Sequence, residues 1–138
     1  MLEKEFIPYQ ESLVLKELGF DEPCISGYST TTKQRYFYSR PTSTQDSFTV
    51  DNPTYSQAFR FFREERGLDC SFEDEMVEDE GGNEFQMWDF FIYKTKQKSD
   101  KKVMDFCSNN FETFIESYTK EEAELACLRQ LIQIVKNK

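Results

Sequence analysis

Residues 70–94, CSFEDEMVEDEGGNEFQMWDFFIYK, hold two apolar-bearing runs on either side of a charged centre. Cys70–Val77 and Phe85–Lys94 are rich in the aromatic and β-branched side chains that suit a pleated surface, which predicts two strands. Between them, Gly81-Gly82-Asn83 supplies residues that tolerate positive φ, as the connection of a hairpin requires. The second run, FQMWDFFIYK, is apolar on both alternating faces except at Asp89, a pattern expected of a strand near the centre of a sheet. An antiparallel hairpin of this length needs other elements to cover it.

N-terminal to the hairpin, Pro8–Leu18 clusters Leu13, Val14, Leu15 and Leu18. Pro8 suits a first turn and Gly19 a left-handed stop that lets Phe20 fold back toward Leu15, so a short helix is predicted. Cys24–Thr31 and Arg35–Arg40 read as a second hairpin joined through Thr32-Lys33-Gln34. Pro41–Asp51, mostly Ser, Thr, Gln and Asp, reads as a surface loop. A second helix carries Ala58, Phe59, Phe61 and Phe62. It starts either at an Asn52 cap followed by Pro53 or at a Thr54 cap with Gln57 three residues on, and it ends at Gly67. Beyond the hairpin, 94–102 is a lysine-rich connection and Phe111–Tyr118 fits strand or helix, with strand preferred. Thr119 with Glu122 then opens a last helix along Leu125, Leu128, Ile132 and Val135, with Lys136 and Lys138 at its carboxyl end. The expectation is one α+β domain over residues 1–138, an antiparallel sheet of four or five strands covered by three helices.

The chain has 138 residues, and its mean hydropathy of −0.72 would suit a disordered polymer. Its 14 Phe and 7 Tyr argue instead for a folded core, because each aromatic ring buries a large area. Its net charge of −9 disfavours phosphate backbones and anionic membranes and favours a basic partner. Met1–Glu5 is already charged, and no run approaches the ~20 apolar residues needed to cross a bilayer, so a cytoplasmic protein without a membrane partner is expected. Cys24, Cys70, Cys107 and Cys127 form no CxxC pair and read as buried thiols. Histidine is absent, which removes the usual general base and the commonest nitrogen ligand for metals. With no phosphate-binding glycine loop, GxSxG or HExxH motif, the expectation is a non-enzyme without cofactor or metal.

Three groups of residues are candidates for binding. Glu73, Asp74, Glu75, Glu78, Asp79, Glu80 and Glu84 lie within twelve positions that hold no Lys or Arg. Such a run is either a solvated connection or a surface that fills a basic groove and excludes nucleic acid. A calcium loop would need the EF-hand spacing, which is absent. Arg60, Arg63 and Arg66 recur every third residue along one helix side and read as a solvated face paired with Glu64 and Glu65, or as a phosphate clamp. RYFYSR, residues 35–40, interleaves arginine with aromatics, so Arg35 and Tyr36, with Arg60 and Arg63, make an alternative nucleic-acid contact. The stretch lacks the glycine-containing pattern of an RNA-recognition strand. A structural or assembly role is a further alternative.

LGFDEPC (Leu18–Cys24), YSQAFRFFREERGLD (Tyr55–Asp69) and EEAELACLRQLIQIVK (Glu121–Lys136), in that order, resemble a family of small proteins of Bacteroidota genomes and prophages. The acidic stretch and the lysine-rich connection depart from the family pattern. The resemblance implies a mobile-element context in which small acidic proteins inhibit host defence. Anti-CRISPR proteins acting on an RNA-guided nuclease, including the RNA-targeting type VI class, are the example nearest in kind. The expected partner is the basic surface of such a nuclease or of another nucleic-acid-binding protein.

Overall fold

The computed structural model describes residues 2–44, 46–94 and 119–137. They are α+β, as expected, and gather into two compact units, Met1–Phe61 and Phe62–Lys138. The strands do not join into one sheet of four or five. They form a three-stranded sheet in the first unit and a two-stranded sheet in the second.

In the first unit a 3₁₀ turn, Leu2–Glu5, leads into α1 (Tyr9–Glu17). Gly19 takes φ +100° beyond the helix. The Phe20 N–H donates to Leu15 O (2.9 Å) and Gly19 N–H to Lys16 O (3.1 Å), the paired bonds of a Schellman stop, with Leu15 and Phe20 buried beneath. Strands β1 (Cys24–Ser29) and β2 (Arg35–Thr42) pair antiparallel, with Gly27 opposite Tyr36 and Tyr28 opposite Arg35. Lys33, at φ 61°, turns the chain between them. Residues 41–51, expected to be a loop, instead extend β2 through Thr42 and contribute β3 (Thr49–Asp51), which pairs with β1 from the other side. Polar Thr49 and Asp51 hide this strand in the sequence, yet all three of its residues are buried. The sheet order is β2-β1-β3, and α1 packs on β3.

Asn52 is not a helix cap. It is fully buried, and every polar group it owns is used. Its Nδ2 donates to Ile7 O (2.6 Å) and Ser12 Oγ (2.9 Å), while Oδ1 accepts from Ser26 Oγ (2.9 Å) and Arg35 Nε (2.9 Å). The Asn52 N–H donates to Ser26 O (2.9 Å), and Asn52 O accepts from Ser26 Oγ (3.1 Å). One amide thus ties α1, β1, β2 and the segment before α1 together. The cap of α2 (Tyr55–Arg66) is Thr54, whose Oγ1 accepts from Gln57 N–H (3.2 Å) while the Gln57 carboxamide accepts from Thr54 N–H (3.1 Å), a reciprocal box.

In the second unit Gly67, at φ 66°, ends α2, and the hairpin follows at once. Strands β4 (Leu68–Glu78) and β5 (Glu84–Lys94) pair without a bulge from Leu68 opposite Lys94 to Glu78 opposite Glu84. Among the described residues β5 pairs with β4 alone rather than lying at a sheet centre. Helix α3 (Lys120–Lys136) opens on Thr119 Oγ1, which accepts from Glu122 N–H (3.1 Å), and packs on both strands. Its buried face runs through Ala123, Cys127, Leu128, Leu131, Ile132 and Ile134, whereas Leu125 and Val135 sit at its margins. The predicted connection over 95–102, the Phe111–Tyr118 segment and Cys107 lie outside the described residues. Of the other thiols, Cys24 and Cys127 are buried and Cys70 is half-buried.

Candidate functional site

The strand register sorts the hairpin's side chains onto two faces, because residues directly opposite each other point the same way. On one face Leu68, Phe90 and Ile92 are buried, and Lys120, at the start of α3, lies 5.8 Å from the centroid of the Trp88 ring. The outer part of this face carries Asp74, Met76, Glu78, Glu84 and Gln86. The other face carries Asp69, Glu73, Glu75 and Asp89. Burial fades after Phe72 on β4, and Glu73 through Met76, Glu78, Glu84 and Gln86 are exposed. The acidic stretch is therefore mostly strand. Only Asp79–Asn83 forms the connection.

Two carboxylate pairs face each other directly across the ladder, Glu73 with Asp89 and Glu78 with Glu84. Like charges in that position destabilise a sheet. The Asp89 carboxyl is held above its ordinary range, first by burial and then by the charges of Glu75 and Glu73. Gln86 donates its amide to Asp74 across the strands, a neutral partner for one of the carboxylates. Among the described residues the ion pairs are Arg60 with Glu22 and Arg63 with Asp69 (4.0 Å), so none reaches Glu73, Asp74, Glu75, Glu78, Glu80 or Glu84.

Asp79 differs from its neighbours. Its Oδ1 accepts from the Gly81 N–H (2.9 Å) and the Asn83 N–H (2.9 Å), and its backbone N–H donates to Asn83 O (2.9 Å). Gly82, at φ 80°, completes the turn with an N–H bond to Asp79 O (3.1 Å). These bonds hold the Asp79 carboxyl below its ordinary value, the bond from the Asn83 backbone foremost. Asp79 thus builds the turn that presents Glu78, Glu80 and Glu84.

At the base of the hairpin the chemistry is closed. Asp69 accepts from its neighbour Cys70 N–H (2.8 Å) and from the Tyr93 hydroxyl (3.3 Å), and Tyr93 is pushed above its usual pKa by burial first and Asp69 second.

The residues of the alternative nucleic-acid contact are spread over both units and already engaged. Arg35 donates to Asn52 and, through a terminal nitrogen, to the Tyr28 hydroxyl (2.6 Å), and its guanidinium lies over the rings of Phe6 (5.3 Å) and Tyr28 (5.1 Å). Tyr36 shares a hydroxyl–hydroxyl bond with Thr49 (2.8 Å). Arg60 pairs with Glu22, and Arg63 approaches Asp69.

A second polar cluster carries no local sequence signal: Lys16 donates to Asp46 O (2.8 Å) and Thr49 O (3.1 Å). Asp51 accepts there from the Tyr38 hydroxyl (2.8 Å) and the Thr44 N–H (2.7 Å). Lys16, Phe20, Asp21, Thr44 and Asp51 line a hollow of about 180 Å³. Lys16 and Asp51 are both engaged with the 38–51 segment that they hold.

Comparison of the chain with protein-family models, curated proteins and solved structures gives no match. No helix among the described residues is long and apolar enough to cross a membrane, and no group of three or more Cys, Asp or Glu among them is arranged to hold a metal ion.

Proposed function

We propose that this chain is a non-catalytic binding protein whose acidic hairpin occupies a basic surface of a nucleic-acid-processing protein and so inhibits it. The observation that carries the reading is the like-charge facing of Glu73 with Asp89 and of Glu78 with Glu84 on an exposed ladder. Such pairs cost the hairpin stability, and a cationic surface laid against them relieves that cost, so association gains what folding gave up. Charge of one sign also steers encounter, which makes the association rate fall with salt. The resemblance to small Bacteroidota prophage proteins supplies the class of partner: a host-defence protein, with an RNA-guided nuclease of type VI as the first to test, on the anti-CRISPR pattern.

The test is RNA cleavage by a purified type VI nuclease with its guide, with this chain added at low and at raised salt. Inhibition should weaken with salt and should be lost in the variant Glu75→Gln, Glu78→Gln, Glu84→Gln. It should persist when Glu121 and Glu122, on α3, are changed in the same way. Asp79 is left intact, because removing it would dismantle the turn. Equal loss from both variants would contradict a local acidic site.

A further inference from the structure

We propose that the outer edge of β2 accepts an extended acidic peptide strand from a partner protein, adding a fourth strand to the first sheet. This surface is distinct from the acidic hairpin, and the inference does not depend on the function proposed above.

In an antiparallel pair, alternate residues exchange both backbone bonds with the neighbour and those between turn theirs outward. Ser29 N–H donates to Gln34 O (3.0 Å), which places Gly27 and Tyr36, two residues further in, in the bonded set toward β1. Arg35 and Phe37 therefore direct their N–H and C=O groups away from β1. On the far side of β1 the bonds Thr30 N–H to Phe48 O (3.0 Å) and Asn52 N–H to Ser26 O (2.9 Å) belong to the ladder with β3, so β2 is an edge. Among the described residues, no backbone group outside the sheet bonds to Arg35–Tyr38.

The usual protections of an edge are displaced toward its end. Pro41 and the register shift between Cys24 and Ser26 both lie beyond Phe37, leaving Arg35–Phe37 as a regular template. Side chains flank it on both faces. Phe37 is 54% exposed and meets Phe6 edge-on (5.8 Å) on one face. On the other, Tyr36 is 39% exposed and stands beside Tyr38 (5.5 Å). An added strand would gain main-chain bonds from the edge and apolar contact from these rings, the two components of strand addition.

Charge selects the occupant. Residues 31–45 hold Lys33, Arg35 and Arg40 and no carboxylate, within a chain of net charge −9. Arg35 is spent internally, but Lys33 and Arg40 are exposed, and Arg40 has no ion-pair partner among the described residues. A strand bearing Asp or Glu matches this edge, and a basic one does not.

The experiment measures fluorescence anisotropy of a labelled peptide of alternating Glu and Val, with the Lys and Val counterpart as control. The acidic peptide should bind, and N-methylation of one alternate set of its amides should weaken binding about tenfold or more while the other set has little effect. In the protein, Phe37→Pro removes an outward N–H and spares the ladder to β1, so it should abolish binding, whereas Phe37→Ala should weaken it by less. The methylated peptides ask the same question without touching the fold. Equal binding of both methylated sets, or of the basic peptide, would overturn the proposal. So would binding of labelled oligothymidylate in place of the acidic peptide, or dimerisation in sedimentation that Phe37→Pro reverses, since a nucleic acid or a second copy would then be the occupant.

Discussion

Two residues carry more of the structure than their identity suggests. Asn52 spends both amide hydrogens and both lone-pair directions of its carboxamide inside the first unit, so its loss leaves several buried groups unpaired at once. Asn52→Ala should cost on the order of 3 kcal/mol in urea unfolding, because each orphaned group carries its own desolvation penalty. A cost below about 0.5 kcal/mol would mean that water replaces the amide. Asp89 acts in the opposite direction. Its folded pKa lies above the ordinary 3.8, so the folded state binds the proton more tightly than the unfolded state. Its contribution to stability therefore falls as pH rises from the ordinary value through the raised one, and the full cost is felt at neutral pH. Asp89→Asn should raise stability at pH 7 by about 0.5 kcal/mol, a gain that fades in acid below the ordinary value. Asp79, held low by its turn, has the reverse sign: its contribution is present above 3.8 and lost as pH falls through the depressed value. Unfolding of the wild type, D89N and D79N across acid pH separates the two.

At the scale of elements, the sequence was legible wherever a local rule decided the outcome. The Gly19 stop, the Thr119 cap and the Gly-Gly-Asn connection each depend on residues within a few positions, and all three stand where local chemistry put them, while at α2 local chemistry left Asn52 and Thr54 both open and the structure uses Thr54. What escaped was non-local. The strand Thr49–Asp51 is too short and too polar to show a period, and only its pairing with β1 makes it a strand. Asn52 looks like a cap beside a proline until Ser12, Ser26 and Arg35 converge on it. Gly27 shows the same dependence on distant residues. It is buried where Tyr38 crosses from β2 to Asp51 on β3, and a Cβ built there would stand 2.0 Å from the Tyr38 hydroxyl. Gly27→Ala should displace that ring, break its bond to Asp51 and cost about 2 kcal/mol, read as a lower urea midpoint. An unchanged midpoint would show that Tyr38 has room to move. The acidic site was half legible. Composition located the carboxylates, but only the register reveals that Glu78 faces Glu84, that Glu73 faces Asp89, and that Asp79 serves the turn.

Across the whole molecule, charge is divided between the two units. Residues 1–61 carry six cations against eight carboxylates, and residues 62–138 carry eleven against eighteen, so most of the net −9 belongs to the unit that holds the hairpin. A uniformly charged surface would favour solubility alone. A surface in which one exposed ladder faces carboxylate with carboxylate, while residues 31–45 are purely cationic, has two places where opposite charge is favoured. Of these two places, the hairpin is the one proposed as the docking surface for a nucleic-acid-processing protein. Affinity capture from a bacterial lysate at two salt concentrations checks this, comparing the wild type with the Glu75, Glu78, Glu84→Gln variant. The expected result is recovery of a protein that binds nucleic acid, lost at raised salt, lost in the variant, and displaced by added RNA. Recovery of the same partners by the variant at either salt would contradict it and leave the hairpin a solvated element of the fold.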